Sequence, residues 1–162
     1  MPASLRIGIG EDSHRTEQGG PLVIGGVEVP HDRHLVGHSD SDVLLHAVTD
    51  ALLGAAGLSD IGELFPNTCN ENRDRDSAEI LDSAYEKVRE SGYRLVNLDC
   101  VVAAERPKLS PYKEAIRHCI AGILGANPID IGLKAKTGEG VGPVGREEAI
   151  EARVVVLLEK MP

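Results

Sequence analysis

Residues 38–57, HSDSDVLLHAVTDALLGAAG, constrain the fold more than any other stretch of the chain. Val43, Leu44, Ala47, Val48, Ala51, Leu52 and Ala55 recur at helical spacing and form one apolar stripe. Ser39 or Asp40 can cap the start of this helix, and Gly57 can end it. A helix so apolar has to lie against a partner surface, and the segments around it have strand character. SLRIGIGED precedes it, and PLVIGGVEVP reads as two short extended pieces around a Gly25-Gly26 turn. YRLVNLDCVVAAE, DIGLKAKT and AIEARVVVLLEK follow as further strands. Two more helices are expected, SAEILDSAYEKVRESG, stopped at Gly92, and SPYKEAIRHCIAGILG with its Ser-Pro start. LSDIGELFPNTCNENRDRD reads as a polar, turn-rich surface loop. This order predicts an α/β (α+β) two-layer sandwich, a mixed sheet with helices packed on one face.

At 162 residues the chain is expected to form a single domain, 1–162. Aromatic residues are 2% of it, so the core must be built from Val, Ile, Leu and Ala. The formal net charge of −9 argues against a nucleic-acid partner, which requires a basic footprint. An acidic protein that binds an anionic substrate needs local cations or a metal. Cys69, Cys100 and Cys119 are odd in number and widely spaced, with neither a CxxC pair nor a disulfide framework among them. No targeting segment and no bilayer-length apolar run is read, so a soluble cytoplasmic protein without membrane partners is expected.

The strand RIGIGEDSHR carries Asp12 and His14 at alternate positions, hence on one face. Gly8 and Gly10 beside them allow other chain or a ligand to approach closely. A third donor can come from His46, which interrupts an otherwise apolar helix, and Asp50 one turn on can hold its other nitrogen. Two imidazoles, one carboxylate and an open position describe a catalytic zinc site. The plainer reading is a helix histidine bonded to Asp50, with Asp12 capping a turn. His31, His34 and His38 compete for the same role, and periodicity does not choose among them.

KAKTGEGVGPVGRE places Lys134, Lys136, Thr137, Glu139 and Arg146 among four glycines, where backbone N–H groups can cradle phosphate. Gly140, Gly142 and Gly145 match GxGxxG, but a strand follows where a dinucleotide fold needs a helix. A hairpin loop is the alternative. ERPKLSPY sets Arg106 and Lys108 after a strand, beside a rigid proline, where a base or phosphate can dock or the chain simply turns.

Together GIGEDSH, GGVEVP, HSDSDVLLHAVTDALLGAAGLSDIGELFP, RPK and KTGEGVGPVGRE resemble the 2-C-methyl-D-erythritol 2,4-cyclodiphosphate synthase family, from about Arg6 to Leu158. The resemblance implies Asp12, His14 and His46 as zinc ligands, and Glu139 as a ligand of a second ion, magnesium or manganese, held with the substrate phosphates. It implies 4-diphosphocytidyl-2-C-methyl-D-erythritol 2-phosphate as substrate, cyclised with release of CMP in non-mevalonate isoprenoid biosynthesis. His38 and Thr137 match the pair that stabilises the transition state, and Ser39 would bind phosphate beside His38. Asp60, Ile61, Gly62, Phe65 and Asn67 would surround the methylerythritol moiety. Ala104, Pro107, Lys108 and Leu109 would frame cytosine and the diphosphate, which Lys136 and Thr137 also face. Arg146 matches an arginine of a threefold-axis cavity, with Glu148 as its partner. The family's fold is ferredoxin-like, assembled as a homotrimer with active sites at subunit interfaces.

Several positions depart from the family pattern. Glu11 and Pro143 stand where aromatics line that axial cavity, Asn67 where aspartate is frequent, and Lys136 where threonine is frequent. Two other functions compete: a zinc-dependent phosphohydrolase using metal-bound hydroxide, and a metal-stabilised oligomer without catalysis.

Overall fold

The computed structural model describes residues 4–37, 39–66, 68–72 and 75–162, the side chain of Asn72 excepted. Two expected site residues, His38 and Asn67, lie outside the described residues.

Strand β1 (Leu5–Gln18) has side chains that alternate from Ile7 to Glu17 between an open and a covered face. It pairs antiparallel with β7 (Ala149–Lys160), Gly10 opposite Val154 and Asp12 opposite Ala152. β7 in turn pairs antiparallel with β5 (Tyr93–Ala103), and β5 pairs parallel with β6 (Ile131–Lys136). With the short β4 (Arg33–Leu35) on the outer edge of β1, the sheet order is β4-β1-β7-β5-β6. The sheet is therefore mixed, as expected. β2 (Leu22–Ile24) and β3 (Val27–Val29) form a separate hairpin around Gly25 and Gly26, both with positive φ.

Helix α1 (Val43–Ala56) lies on β1 and β7, flanked by α3 (Ser77–Glu90) and followed by the one-turn α2 (Ile61–Leu64). α4 (Lys113–Leu124), entered through a short 3₁₀ turn at Ser110–Tyr112, links β5 to β6. α1 is buried on nearly every side: His46, Asp50 and Gly54, one turn apart, mark its less covered edge, and besides them the final Ala56 is half-buried. Its N-cap is Asp42 and not Ser39 or Asp40. The fully buried Asp42 carboxylate accepts from Leu45 N at 3.0 Å, Gly25 N at 2.9 Å and Gly26 N at 2.7 Å. One acid thus starts the helix and pins the β2–β3 turn to it. Gly57 ends α1 in the left-handed conformation, as the sequence suggests.

The core is aliphatic: Leu44, Leu52, Ile116, Ile120, Val154 and Leu158 are fully buried. The opposite face of the sheet is uncovered and in part apolar, with Leu5, Ile7, Ile9 and Val155 exposed. The glycine-rich segment between β6 and β7 is not a hairpin, because β5 separates those two strands in the sheet. It carries a four-residue helix, α5 (Gly142–Gly145), and its path is held by Glu105, whose carboxylate accepts from Gly138 N at 2.8 Å.

Candidate functional site

The period of β1 puts Gly8, Gly10, Asp12 and His14 on the face that α1 covers. What the two glycines admit is the helix backbone itself. A Cβ at Gly8 would fall 2.1 Å from the Ala51 carbonyl oxygen, and one at Gly10 would fall 1.9 Å from that of Ala47. α1 therefore runs antiparallel to β1 in direct contact, and its first turn, bearing His46, sits where the strand carries Asp12 and His14.

The three side chains converge. Asp12 Oδ2 is 2.8 Å from His14 Nε2 and 3.1 Å from His46 Nδ1, and the two ring nitrogens are 3.2 Å apart. Each ring is anchored through its outer nitrogen. His14 Nδ1 donates to the Val36 carbonyl at 3.0 Å, while His46 Nε2 lies 2.8 Å from Ser77 Oγ and 3.0 Å from Ser39 Oγ. Two inner nitrogens at this spacing need a proton or a cation between their lone pairs. With the carboxylate they make an N,N,O donor set of the kind that binds a divalent transition metal. Among the described residues this is the one His/Cys/Asp/Glu group close enough to hold such an ion.

The electrostatics agree. Burial works to raise the Asp12 pKa, but hydrogen bonds and charge from His14 and His46 prevail and lower it from 3.8 to about 2. Burial works to lower the His14 pKa, and Asp12 outweighs it, so the imidazole titrates above 6.5. His46 is not oriented by Asp50. That carboxylate accepts from Ile61 N at 2.8 Å and so ties α2 to α1, and burial raises its pKa. His34 donates to the Gly19 carbonyl and His31 lies beside Asp32, so neither joins the group.

The donor triangle opens into a cleft of about 260 Å³ that Ser39, Ile61, Gly62 and Phe65 also line. Asp60 caps α2 at its edge, accepting from Glu63 N at 3.0 Å. A second cleft, of about 360 Å³, is lined by Ala104, Pro107, Lys108, Leu109, Lys136 and Thr137. Two cations and the hydroxyls of Ser110 and Thr137 there suit an anionic ligand, while the Glu105 carboxylate in the same lining accepts from Gly138 N. Glu139 follows with a positive φ of 53°, uncommon for a residue with a side chain, and its N–H donates to Thr137 Oγ1 at 3.3 Å. Arg106 grips Glu147 through two bonds of 2.7 and 2.8 Å, joining the RPK turn to the glycine-rich segment. Arg146 pairs with Glu148 at 2.9 Å, as expected, and Glu11 pairs with Arg153 on the open sheet face. Within one chain the described site residues divide between these two clefts, which share no lining residue, except Asp60, Glu139 and Arg146, which line neither.

Several contributors escaped the sequence reading. Gly37 leaves room for the His14 ring, since a Cβ there would come within 3.0 Å of Nδ1. Ser77 reads only as the start of a helix, and Glu105 carries no motif at all.

Comparison with known proteins places this geometry. The profile of the YgbB family matches residues 5–159. A protein of Rhodopirellula baltica named 2-C-methyl-D-erythritol 2,4-cyclodiphosphate synthase is 52% identical over 160 residues, covering 99% of this chain and 96% of its own. A solved structure of the bifunctional IspDF from Campylobacter jejuni superposes with a TM-score of 0.93 at 42% identity, over 97% of this chain. This chain spans 42% of that longer one. A CDP-bound structure of a 2C-methyl-D-erythritol-2,4-cyclodiphosphate synthase matches at a TM-score of 0.88 and 42% identity, over 95% of this chain and 100% of that one.

Proposed function

The chain belongs to the YgbB family, and on that premise we propose how its two clefts perform the reaction of a 2-C-methyl-D-erythritol 2,4-cyclodiphosphate synthase. It is an enzyme, a cyclising phosphorus–oxygen lyase of isoprenoid biosynthesis. The observation that carries the reading is the Asp12–His14–His46 donor triangle opening into a cleft of about 260 Å³.

The substrate, 4-diphosphocytidyl-2-C-methyl-D-erythritol 2-phosphate, brings its own nucleophile. An oxygen of the 2-phosphate bonds to the β-phosphorus, the bond from β-phosphorus to the bridging oxygen breaks, and CMP leaves with that oxygen. A phosphate is already ionised near neutral pH, so no strong base is needed. The protein's task is to position the groups and neutralise their charge.

Asp12, His14 and His46 would hold zinc. Donors around a tetrahedral ion at ~2.0–2.1 Å stand about 3.3 Å apart, close to the 2.8, 3.1 and 3.2 Å separations here. Glu139, presented by its left-handed backbone, would hold magnesium or manganese. The two dications, when bound, supply Lewis-acid polarisation of the β-phosphate and charge neutralisation between the α- and β-phosphates. They also answer how a chain of net charge −9 attracts an anion.

Ser39 Oγ already accepts from Ser41 N at 3.2 Å and keeps its own proton to donate to phosphate. Thr137 would donate likewise, paired with His38 at the transition state. Asp60, Ile61, Gly62, Phe65 and Asn67 would orient the methylerythritol hydroxyls and methyl group. Ala104, Pro107, Lys108, Leu109 and Lys136 would seat cytosine and the diphosphate, a role supported by the CDP-bound relative. Arg146 would add positive charge beside the glycine-rich segment.

The substrate must reach both clefts at once. The exposed apolar residues Leu5, Ile7, Ile9 and Val155 support a homotrimer in which one subunit's metal cleft meets its neighbour's nucleotide cleft. The parallel β5–α4–β6 unit supports the ferredoxin-like reading of each subunit, and the continuous aliphatic core supports one domain over 1–162. A cytoplasmic setting accords with the absence, among the described residues, of any helix long and apolar enough to cross a membrane.

Phosphorus NMR of the protein with this substrate, zinc and magnesium tests the reaction. Equal amounts of a cyclic diphosphate and CMP are expected. Release of inorganic phosphate would replace cyclisation by hydrolysis.

A further inference from the structure

His46 can serve a metal through Nδ1 only if its remaining proton sits on Nε2. Its surroundings do not all favour that arrangement. Asp12 Oδ2 is 3.1 Å from Nδ1 and, in the metal-free protein, draws a proton to the metal-facing side. Ser39 Oγ, 3.0 Å from Nε2, leaves the matter open, because its own hydroxyl hydrogen is free to point at the ring or away from it.

Ser77 is different. Its side chain, at the first residue of α3, is fully buried, and its Oγ lies 2.8 Å from His46 Nε2. The same oxygen hydrogen-bonds to Asp40 Oδ1, while Ser77 N donates to Asp40 Oδ2 at 3.0 Å. Asp40 Oδ1 also accepts from Asp42 N at 3.1 Å. An ionised carboxylate can only accept, so the Ser77 hydroxyl must give its hydrogen to Asp40. Its lone pairs are then what His46 Nε2 meets, and Nε2 must be the protonated nitrogen.

From this direction of bonding we propose that Asp40 and Ser77 are positioning residues, a two-member relay that fixes His46 as the Nε2–H tautomer and aims its Nδ1 lone pair at the metal. The relay rests on the metal-site reading above and deepens it. It also explains why the loop before α1 is fastened to the start of α3: the same two bonds hold both elements against the ring. Metal-ligating imidazoles commonly owe their orientation to a carboxylate or carbonyl. His14 uses the Val36 carbonyl directly, whereas His46 reaches its carboxylate through a serine.

The test uses metal-stripped full-length protein as wild type and as Ser77→Ala, Asp40→Asn and Asp76→Ala. Asp76 caps α3 through Ala78 N at 2.8 Å and touches no member of the relay, so its variant weakens the helix start alone. Zinc affinity is measured by competition with a chromophoric chelator. The protonated ring nitrogen of His46 is read from long-range ¹H–¹⁵N correlation in the metal-free state, at a pH where the ring is neutral. Ser77→Ala and Asp40→Asn are expected to bind zinc roughly 10–100-fold more weakly, with the ring proton moved from Nε2 toward Nδ1, and Asp76→Ala to retain wild-type affinity and tautomer. Affinities within twofold of wild type in both relay variants, or a ring proton that stays on Nε2 in both, would overturn the relay. Failure of wild type itself to take up zinc would instead overturn the metal-site reading, and the metal-free ring spectrum would still decide the tautomer.

Discussion

Replacing Gly10 by alanine adds one methyl group to the seam that brings Asp12, His14 and His46 together. The new Cβ would stand 1.9 Å from the Ala47 carbonyl oxygen and 2.7 Å from Ala51 N, against 3.4 Å or more for ordinary contact. Both obstructing atoms are helix backbone, so no side chain can swing aside. α1 must retreat by roughly 1.5 Å or the strand must bend away by as much. His46 adjoins Ala47, and the same retreat would lengthen its 3.1 Å approach to Asp12 toward about 4.5 Å, too far for both to share one ion. Overpacking of this kind costs about 1–3 kcal/mol, and rigid backbone on both sides places Gly10→Ala at the upper end. Urea unfolding of the metal-free protein measures the first effect, and chelator competition for zinc the second, expected at no less than ~10-fold. Gly54→Ala is the internal control. It is exposed on the same helix with its nearest neighbour at 4.0 Å, and should gain about 0.5–1 kcal/mol from helix propensity. A Gly10→Ala protein with unaltered stability and zinc affinity would refute the claim that this contact sets the ligand geometry.

Glu139→Gln should lose most turnover while keeping zinc, because the donor triangle does not include it; undiminished CMP release would remove the second-cation role. Asp42→Ala strips the acceptor from three backbone N–H groups at a fully buried position and should cost about 2–4 kcal/mol in urea unfolding. A loss below ~0.5 kcal/mol would contradict its role as a shared anchor. In the metal-free protein, the stability due to Asp12 is present above 3.8 and is lost as pH falls toward 2, while that due to His14 is full below 6.5 and is lost as pH rises through its raised value. This pair therefore supports the metal-free fold best between 3.8 and 6.5. Zinc, which needs unprotonated ring nitrogens, should raise the melting temperature more at pH ~8 than at pH ~5.5; the reverse order would count against imidazole ligation.

Asp12, His14 and His46 stand out in the sequence because each obeys a simple period, although periodicity leaves His31, His34 and His38 as competitors and only the family resemblance singles out His46. Asp12 and His14 alternate along a strand, and His46 breaks an apolar helical stripe. Gly8 and Gly10 announced a close approach, though not that the approaching group would be α1. Sequence alone does not single out the cap Asp42, because HSDSD offers four polar candidates within one turn and the positive φ of Ser41, which turns the chain so that Asp42 meets the helix, leaves no local trace. Asp50 lies on the expected face but has a different partner: Ile61 N reaches it from the following helix, and nothing in residues 46–50 signals that. The glycine-rich segment looked like a hairpin because strand order is set by long-range pairing, which inserts β5 between β6 and β7. Ser77 stayed hidden for the same reason, since its importance lies in a contact 31 residues away.

Anomalous diffraction at the zinc edge, from crystals of the metallated protein, addresses the central claim most directly. The account predicts one peak in the cleft, ~2.0–2.2 Å from Asp12 Oδ2, His14 Nε2 and His46 Nδ1. A peak held by other side chains, or none at that triangle in a fully metallated crystal, would contradict it.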